Sequence, residues 1–347
     1  MNYEYVKNKR LVTKQRPLLF EDIVYSCENK KDLYLTILHH IDMDGIFSAL
    51  VMKEALMTVP NPEVLHITFV PYNYQKDVKL SDIIPQNTDH LIIVDLSIPV
   101  ADIESVYASD HIKSIYMVDH HMTSLHQLNA NNMLDQFNDR LSIYVDISGC
   151  ATMNVYNIFK NFTYYNSPNT TLKDVINYRL IDLVDQYDRW DRKIEDGPIC
   201  DYLNTFCWGS NQLFVKSDIM DRLLIDSEYL NEAIKNGKKL YDLNQKVNEF
   251  KYEIFHREGI LSVDGTDYSV CYLFGYGSSD SFGKYIKNFD IVLLIRKPDL
   301  DENCALSMYT DNPKIDVSKI CEHFGGGGHP KASGCTIPYK VLKTILK

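Results

Sequence analysis

The sequence has no long apolar run and no apolar leader. Its longest apolar stretches, such as Leu91–Val94 and Ile291–Ile295, are far shorter than the roughly 20 residues that span a bilayer. The N-terminal segment MNYEYVKNKR is polar and aromatic and lacks the apolar core of a signal peptide. These absences predict a cytoplasmic protein that does not contact a membrane.

The sequence also lacks paired cysteines and an excess of basic residues. None of the eight cysteines forms a CxxC pair, so we expect reduced, buried thiols rather than a disulfide framework or a thiolate zinc site. The net charge of −11 argues against a broad basic surface for long duplex DNA. A nucleotide substrate stays open, because bound metal ions can supply positive charge locally.

Apolar strand segments alternate with helical segments, which predicts an α/β fold. The first half is expected to be a Rossmann-like, mainly parallel sheet with helices on both faces, followed by a smaller C-terminal α/β domain. We divide the chain into an N-terminal domain at 1–192, a helical connector at 193–258 and a C-terminal domain at 259–347. The predicted strands of the first domain are Leu33–Leu38, His66–Val70, Leu91–Val94 and Ile115–Val118, and Leu172–Tyr187 is predicted as one helix.

Three of these strands run directly into histidine or aspartate residues. The residues that follow them are His40, Asp42 and Asp44, then Asp95, then Asp119, His120 and His121. Ligands of an open parallel sheet bind beyond the carboxyl ends of its strands. Each cluster alone could be a helix cap or a solvated turn, but together they predict one crevice that collects all of them.

A fourth cluster, Asp185 and Asp188 in LVDQYDRW, ends the predicted helix. The resulting set of nitrogen and oxygen ligands has no thiolate, which favours Mn²⁺, with Mg²⁺ or Zn²⁺ as alternatives. Five or six ligands suit two ions, and two ions can clamp both oxygens of a phosphoryl displacement. The pattern therefore predicts a metal-dependent phosphoesterase.

The glycine run at 325–328, inside FGGGGHPKASG, predicts a substrate-binding loop rather than a flexible hinge. Backbone N–H groups of glycines can approach a phosphate or a base closely, and a helix N-terminus after the run would favour an anion. His329 and Lys331 would add side-chain donors.

The motifs HIDMDGIFSA (40–49), VDLS (94–97), VDHH (118–121) and FGGGGHPKASG (324–334) resemble, in their order, the DHH phosphoesterase superfamily with a C-terminal DHH-associated domain. The resemblance implies two domains with a cleft between them. The N-terminal domain would be catalytic and hold two Mn²⁺ ions, Mg²⁺ being the alternative, and the C-terminal domain would bind substrate. The implied metal ligands are His40, Asp42, Asp44, Asp95, His120 and Asp185. Asp95 would bridge the two ions, and Asp188 competes with Asp185 for the last position.

The resemblance also implies catalytic and substrate-binding residues. His121 would face the scissile phosphate, and Asp119 would orient the histidines. The implied substrate-binding residues are Gly326, Gly327, Gly328, His329, Lys331 and Tyr309. Tyr309 stands where relatives carry an arginine, and Lys331, Arg189 or Arg192 would then supply the missing charge.

The YDRW segment and the long connector look most like the oligoribonuclease B-type nanoRNases. That likeness implies an exonuclease that converts short single-stranded oligonucleotides into nucleoside 5′-monophosphates. The alternatives are a cyclic dinucleotide phosphodiesterase of the cyclic di-AMP type, a 3′-phosphoadenosine 5′-phosphate phosphatase, and a nucleotide sensor that has lost catalysis. The oligomeric state stays open, with a homodimer as one expectation.

Overall fold

The computed structural model of the chain describes residues 4–6, 10–12, 18–73, 78–130, 140–193, 195–209, 218–275, 277, 279–296 and 303–347. The chain forms two compact units, Met1–Lys238 and Lys239–Lys347. Their boundary lies inside one long helix, and the three-part division drawn from the sequence stays a prediction. Among the described residues, no helix combines the length and the apolarity needed to cross a bilayer.

Seven strands of the described residues form one sheet in the first unit. They are β1 (Glu4–Val6), β2 (Arg10–Val12), β3 (Leu33–His40), β4 (Leu65–Tyr72), β5 (His90–Val94), β6 (Ser114–Asp119) and β7 (Leu141–Asp146). Their order across the sheet is β1-β2-β7-β6-β5-β3-β4. The strands from β7 to β4 are parallel, and β2 and β1 add an antiparallel edge.

The parallel strands are apolar over consecutive residues because both faces of the sheet are covered. All residues of β5 are buried. Its side chains alternate between two apolar layers, with Ile92 and Val94 in one and Leu91 and Ile93 in the other. The Rossmann-like α/β architecture is therefore confirmed.

Helices cover both layers. In chain order they are α1 (Leu18–Glu28), α2 (Met43–Leu56), α3 (Leu80–Ile83), α4 (Val100–Tyr107), α5 (Met122–Ala130), α6 (Ala151–Phe159), α7 (Leu172–Val175), α8 (Tyr178–Asp188), α9 (Ile199–Gly209), α10 (Asp218–Ile225) and α11 (Ser227–Phe255). The apolar residues of α3, α4 and α5 join the layer of Leu91, and those of the other helices, with only the first turns of α11, join the layer of Ile92. A short hairpin of β8 (Thr163–Tyr164) and β9 (Ser167–Thr171) lies between α6 and α7.

The segment predicted as a single helix at Leu172–Tyr187 is two helices, so that prediction is wrong. Asn177 separates them, because its backbone is extended and its side-chain oxygen accepts a hydrogen bond from the Arg179 N–H at 3.1 Å. A side chain that caps a helix start in this way satisfies a donor that the helix itself leaves unpaired. The cap sets where α8 begins, and α8 ends at Asp188.

The second unit is a six-stranded mixed sheet with the order β10-β11-β12-β13-β15-β14. Its strands are β10 (Arg257–Val263), β11 (Thr266–Phe274), β12 (Ile291–Arg296), β13 (Asn303–Tyr309), β14 (Gly327–His329) and β15 (Ala332–Pro338). Helices α12 (Val317–His323) and α13 (Tyr339–Ile345) pack on one face, and Tyr252 of α11 packs on the other. This smaller α/β unit agrees with the predicted fold class. All eight cysteines of the chain are free and buried, as expected.

Candidate metal centre

The carboxyl edge of the parallel sheet carries the histidine and aspartate residues that the sequence singles out. His40 ends β3, Asp95 follows β5 directly, and Asp119 ends β6. Because these three strands are parallel neighbours, their ends lie side by side. Asp95 adopts a left-handed backbone conformation with a φ of 56°, a strained state that is common at functional sites.

His40, Asp42 and Asp95 form the first group of candidate ligands. The His40 Nδ1 atom lies 2.8 Å from Asp42 Oδ2 and 3.7 Å from Asp95 Oδ2. Although burial alone would lower the pKa of His40, the Asp42 carboxylate raises it to about 9. Asp42 also caps α2 by accepting from the Gly45 N–H at 3.0 Å, and a Cβ atom on Gly45 would lie 2.3 Å from the His40 carbonyl oxygen. Only glycine fits this close turn.

Asp44, His120 and Asp188 form the second group. The His120 Nε2 atom lies 3.5 Å from Asp44 Oδ2, 3.5 Å from Asp188 Oδ2 and 3.2 Å from Asp95 Oδ1. Asp95 thus places one carboxylate oxygen beside each group, Oδ2 near His40 and Oδ1 near His120. Two groups of ligands that share one carboxylate are the arrangement expected for a site that holds two neighbouring cations.

Asp44 is held by the N-terminus of α6, a contact that the sequence reasoning missed. Its two carboxylate oxygens accept from the backbone N–H groups of Ala151 and Thr152, both at 2.8 Å, and the Thr152 hydroxyl donates to the Asp44 carbonyl at 2.9 Å. The first N–H groups of a helix have no partner within the helix and attract negative charge. The turn at 148–149 indicates that a helix starts there, but no sequence signal names Asp44 as its partner.

Asp119 orients His121. The His121 Nδ1 atom lies 2.7 Å from Asp119 Oδ1, and the Ser124 hydroxyl donates to Asp119 Oδ2. Burial alone would raise the pKa of Asp119, but the contacts with His121 and Ser124 lower it well below its usual range. An ionised Asp119 accepts a hydrogen bond from the Nδ1–H group of His121. The Nε2 atom of His121 is then the one that can exchange a proton with a ligand.

The two carboxylates of the fourth cluster differ in their contacts, and the choice of Asp185 as the metal ligand stays a prediction. One oxygen of Asp185 accepts from the Cys150 N–H at 2.7 Å and from Arg189 Nε at 2.9 Å, and its other oxygen accepts from Arg189 Nη2 at 2.8 Å. These contacts occupy Asp185 in an ion pair. Asp188 is the carboxylate that lies beside His120.

The crowded carboxylates of the cluster form a site that would attract a cation. Burial, followed by the carboxylates of Asp44 and Asp42, raises the pKa of Asp95 well above its ordinary value. The same three causes, in the same order, raise the pKa of Asp188. The Asp95 Oδ2 atom is buried and has no hydrogen-bond partner among the described residues. Buried carboxylates that crowd one another are costly unless a positive charge lies among them, so the residues present suit divalent metal ions.

Arg189 and Arg192, which could supply the charge that Tyr309 lacks, both form ion pairs with aspartates. Arg189 pairs with Asp185, and Arg192 makes a two-pronged contact with Asp201, from Nε at 3.0 Å and from Nη2 at 2.5 Å. Both pairs brace the segment that follows α8. We infer that these arginines stabilise the end of α8, which positions Asp188.

In the second unit, the glycine run ends a helix and begins a strand. Gly325 has a φ of 75° and donates to the Glu322 carbonyl at 2.9 Å, while Gly326 donates to the Cys321 carbonyl at 2.8 Å. This pattern is a Schellman motif that closes α12. A Cβ atom on Gly326 would lie 2.1 Å from the Gly334 carbonyl oxygen. The expectation that a helix follows the run is wrong, because β14 and β15 follow it.

Tyr309 and His329 lie in one row across the second sheet. Ala332 of β15 is the register partner of Tyr309 on one side and of His329 on the other. Residues in register on neighbouring strands project from the same face of a sheet. Lys331 is exposed at the turn between β14 and β15, where its carbonyl accepts from the Thr310 N–H at 3.1 Å. The substrate-binding role of Gly326, Gly327, Gly328, His329, Lys331 and Tyr309 stays a prediction.

The part of the sequence that holds the cluster at the sheet edge is similar to a known protein family. Residues 35–185 match the sequence profile of the DHH family, N-terminal domain, which covers every candidate ligand except Asp188. Over these residues the chain is similar to the DHH family, as its motifs indicate, and this similarity supports a hydrolase of the phosphodiesterase class.

Known proteins resemble the chain over most of its length. It is 26% identical over 319 residues to oligoribonuclease NrnB of Bacillus subtilis (strain 168), covering 88% of this chain and 74% of NrnB. The DHH domain of a protein assigned to a family of ribosomal proteins superposes with a TM-score of 0.57 at 13% identity, covering 93% of this chain and 88% of that one. RecJ from Thermus thermophilus in complex with Mn²⁺ superposes with a TM-score of 0.50 at 10% identity, covering 95% of this chain and 52% of RecJ. At these identities the two structures show a shared fold.

Proposed function

We propose that this phosphodiesterase is a Mn²⁺-dependent exonuclease that converts short single-stranded oligonucleotides into nucleoside 5′-monophosphates. The observation that carries the proposal is the position of Asp95, with one oxygen beside each of two His–Asp groups. Support for the substrate class comes from the similarity to NrnB, which is an oligoribonuclease.

Six residues would hold two ions. His40 and Asp42 would hold one ion, Asp44, His120 and Asp188 would hold the other, and Asp95 would contribute to both. This donor set of imidazole nitrogens and carboxylate oxygens favours Mn²⁺, with Mg²⁺ as the alternative. When bound, the ions supply an activated water and neutralise the charge of the reacting phosphate. The α6 N-terminus fixes Asp44, and the Asp42 cap fixes the start of α2, so both carboxylates are oriented before any ion binds.

His121 is the proton donor of the proposed reaction. The oxygen of water forms a bond to phosphorus, the bond from phosphorus to the 3′ oxygen breaks, and the phosphate stays on the 5′ oxygen of the released nucleotide. With Asp119 accepting from Nδ1, a doubly protonated His121 can donate its Nε2 proton to the departing 3′ oxygen, while the attacking water releases its proton to solvent. His329 and Lys331 would donate hydrogen bonds to the substrate. Tyr309 would stack on a base or donate one hydrogen bond in place of the charge that an arginine brings.

A substrate panel tests the proposal. We would incubate the protein with labelled dinucleotides, longer oligomers, cyclic di-AMP and 3′-phosphoadenosine 5′-phosphate, in Mn²⁺, in Mg²⁺ and in EDTA, and rank the initial rates. We expect the linear dinucleotides to be cleaved fastest, in Mn²⁺, with 5′-monophosphates as products. Preference for cyclic di-AMP or for 3′-phosphoadenosine 5′-phosphate would reject the oligonucleotide assignment, and nucleotide binding without any cleavage would indicate a sensor.

Variants test the metal ligands in the same assay. His120→Ala, Asp95→Ala and Asp188→Asn are expected to abolish cleavage of every substrate while circular dichroism shows an intact fold. Asp191→Asn is the matched control, since Asp191 lies three residues after Asp188 but its side chain is 77% exposed. Near wild-type turnover by His120→Ala or Asp188→Asn in Mn²⁺ would contradict the ligand assignment.

A further inference from the structure

Helix α11 carries two opposite faces along its second half. On one face Tyr252 is buried in the core of the second unit, and Tyr241, Gln245 and Asn248 are half-buried. The opposite face presents five large apolar side chains with exposed fractions of 38%, 58%, 43%, 61% and 48%, which are Leu240, Leu243, Val247, Phe250 and Ile254. We call these five residues the α11 stripe.

The spacing of the α11 stripe is that of a coiled-coil seam. Its members alternate steps of three and four residues, which is the 3.5-residue period of positions a and d in a heptad. At 100° per residue, the stripe points about 200° away from the face that holds Tyr252. The helix therefore packs on its own unit with one face and leaves the opposite, regularly spaced face to solvent. Contiguous exposed apolar side chains of this kind mark interaction surfaces.

We propose that the α11 stripe pairs with the α11 stripe of a second copy of this chain in an antiparallel coiled coil, which makes the protein a homodimer. In an antiparallel pair, position a faces position d of the other helix. Leu243 then packs against the partner's Ile254, and Val247 packs against the partner's Phe250. The two-fold axis repeats both contacts, so four apolar layers form.

The charges beside the stripe select this orientation. The residues at the flanking g positions include Lys246 and Glu253, and the following e position is Lys251. In the antiparallel pair, Lys246 lies opposite the partner's Glu253 on both edges of the seam. In a parallel pair, Lys246 would lie opposite the partner's Lys251 on both edges, and like charges repel. A second copy of the helix thus complements the stripe in shape and in charge only when it runs in the opposite direction.

The stripe is short, so the dimer is expected to be reversible. From Leu240 to Ile254 it runs about 21 Å, which is two heptads. A helix pair of this length buries less than the roughly 1,200–2,000 Å² of a standard stable interface. We expect a dissociation constant in the micromolar range, and hence a monomer–dimer equilibrium at ordinary laboratory concentrations.

Sedimentation velocity of the full chain over a concentration series measures this equilibrium. Phe250→Lys is expected to raise the dissociation constant about 100-fold, because a charge replaces an aromatic side chain in a core layer. The matched control is Phe255→Lys. Phe255 is 58% exposed on the same helix, but it lies outside the stripe, so we expect no change. A chain that stays monomeric at every concentration overturns the proposal, and so does an equal effect of the two lysine substitutions.

Charge exchange tests the orientation. Lys246→Glu and Glu253→Lys are each expected to weaken the dimer about fivefold, and the double exchange is expected to restore it, since the pairs lie at the solvent-exposed rim. A parallel dimer gives the opposite sign for Lys246→Glu, because the new glutamate would pair with the partner's Lys251. A tighter dimer from Lys246→Glu alone would therefore refute the antiparallel arrangement. Oligonucleotide cleavage by these variants should equal that of the wild type, since none of them alters a proposed site residue.

Discussion

Replacing Asp188 by asparagine separates the two carboxylates at the end of α8. The pKa of Asp188 is raised by burial and then by the charges of Asp44 and Asp42, so its carboxylate is unfavourable while no cation lies among these residues. Removing one crowded charge is expected to stabilise the metal-free protein by about 1–3 kcal/mol. The same change removes a ligand that contacts His120, and should therefore abolish stabilisation by metal.

The size of the metal effect follows from mass action. An ion that binds only the folded chain adds about 2.7 kcal/mol to the free energy of unfolding when its concentration is 100 times its dissociation constant. We expect this increment for the wild type in Mn²⁺ relative to EDTA, and almost none for Asp188→Asn. Urea unfolding followed by circular dichroism in both buffers gives the four free energies needed.

Asp185→Asn is the matched control for this experiment. It breaks the ion pair with Arg189, whose side chain is 28% exposed, and should lower the free energy of unfolding by about 1–2 kcal/mol in either buffer. The Mn²⁺ increment should persist. The reasoning is refuted if Asp188→Asn keeps the increment while Asp185→Asn loses it, since Asp185 would then be the ligand.

Two further changes test the sheet and its edge. His90 is fully buried, and burial lowers its pKa to about 4 from the 6.5 expected of an unfolded chain. The unfolded chain then takes up the proton first, and stability falls as the pH drops from about 6.5 towards 4, by about 3 kcal/mol in total. In EDTA, His90→Leu should flatten this part of the pH curve, and an unchanged slope would contradict the assignment. Gly45→Ala would place a methyl group 2.3 Å from the His40 carbonyl oxygen, so it should lower the free energy of unfolding by about 3 kcal/mol and weaken Mn²⁺ binding. In Gly149→Ala the methyl group would meet only the side chains of Met153 and Asn154, at 3.1 Å or more, so neither quantity should change. Urea unfolding and Mn²⁺ titration measure the two quantities.

The strand ends could be read from the sequence because the signal is local. Consecutive apolar residues predict a strand buried on both faces, and the polar residue that follows must lie at the edge of the sheet. The sequence pattern alone predicts the positions of His40, Asp95 and His120 at strand ends, and the structure brings all three to one edge. The match of residues 35–185 to the DHH family agrees with the motifs in that part of the chain.

The last candidate ligand could not be chosen in this way. Asp185 and Asp188 are three residues apart on one helix, so both lie on nearly the same face. Which of them reaches His120 depends on where α8 starts and on what pairs with the other carboxylate. The structure supplies both answers, in the cap at Asn177 and in the ion pair with Arg189.

The glycine run shows the same division between local and tertiary information. Four consecutive glycines predict an unusual backbone, and the left-handed Gly325 confirms one. Whether a helix or a strand follows depends on the pairing of β14 with β15 and of β15 with β13, which brings separate segments of the chain together. The sequence by itself determined the strand ends, the donor types and the period of the α11 stripe, because these are properties of neighbouring residues. The tertiary structure alone decided that α6 holds Asp44, that Asp188 joins the cluster and that the α11 stripe is exposed, because each of these depends on segments that meet only in the folded chain.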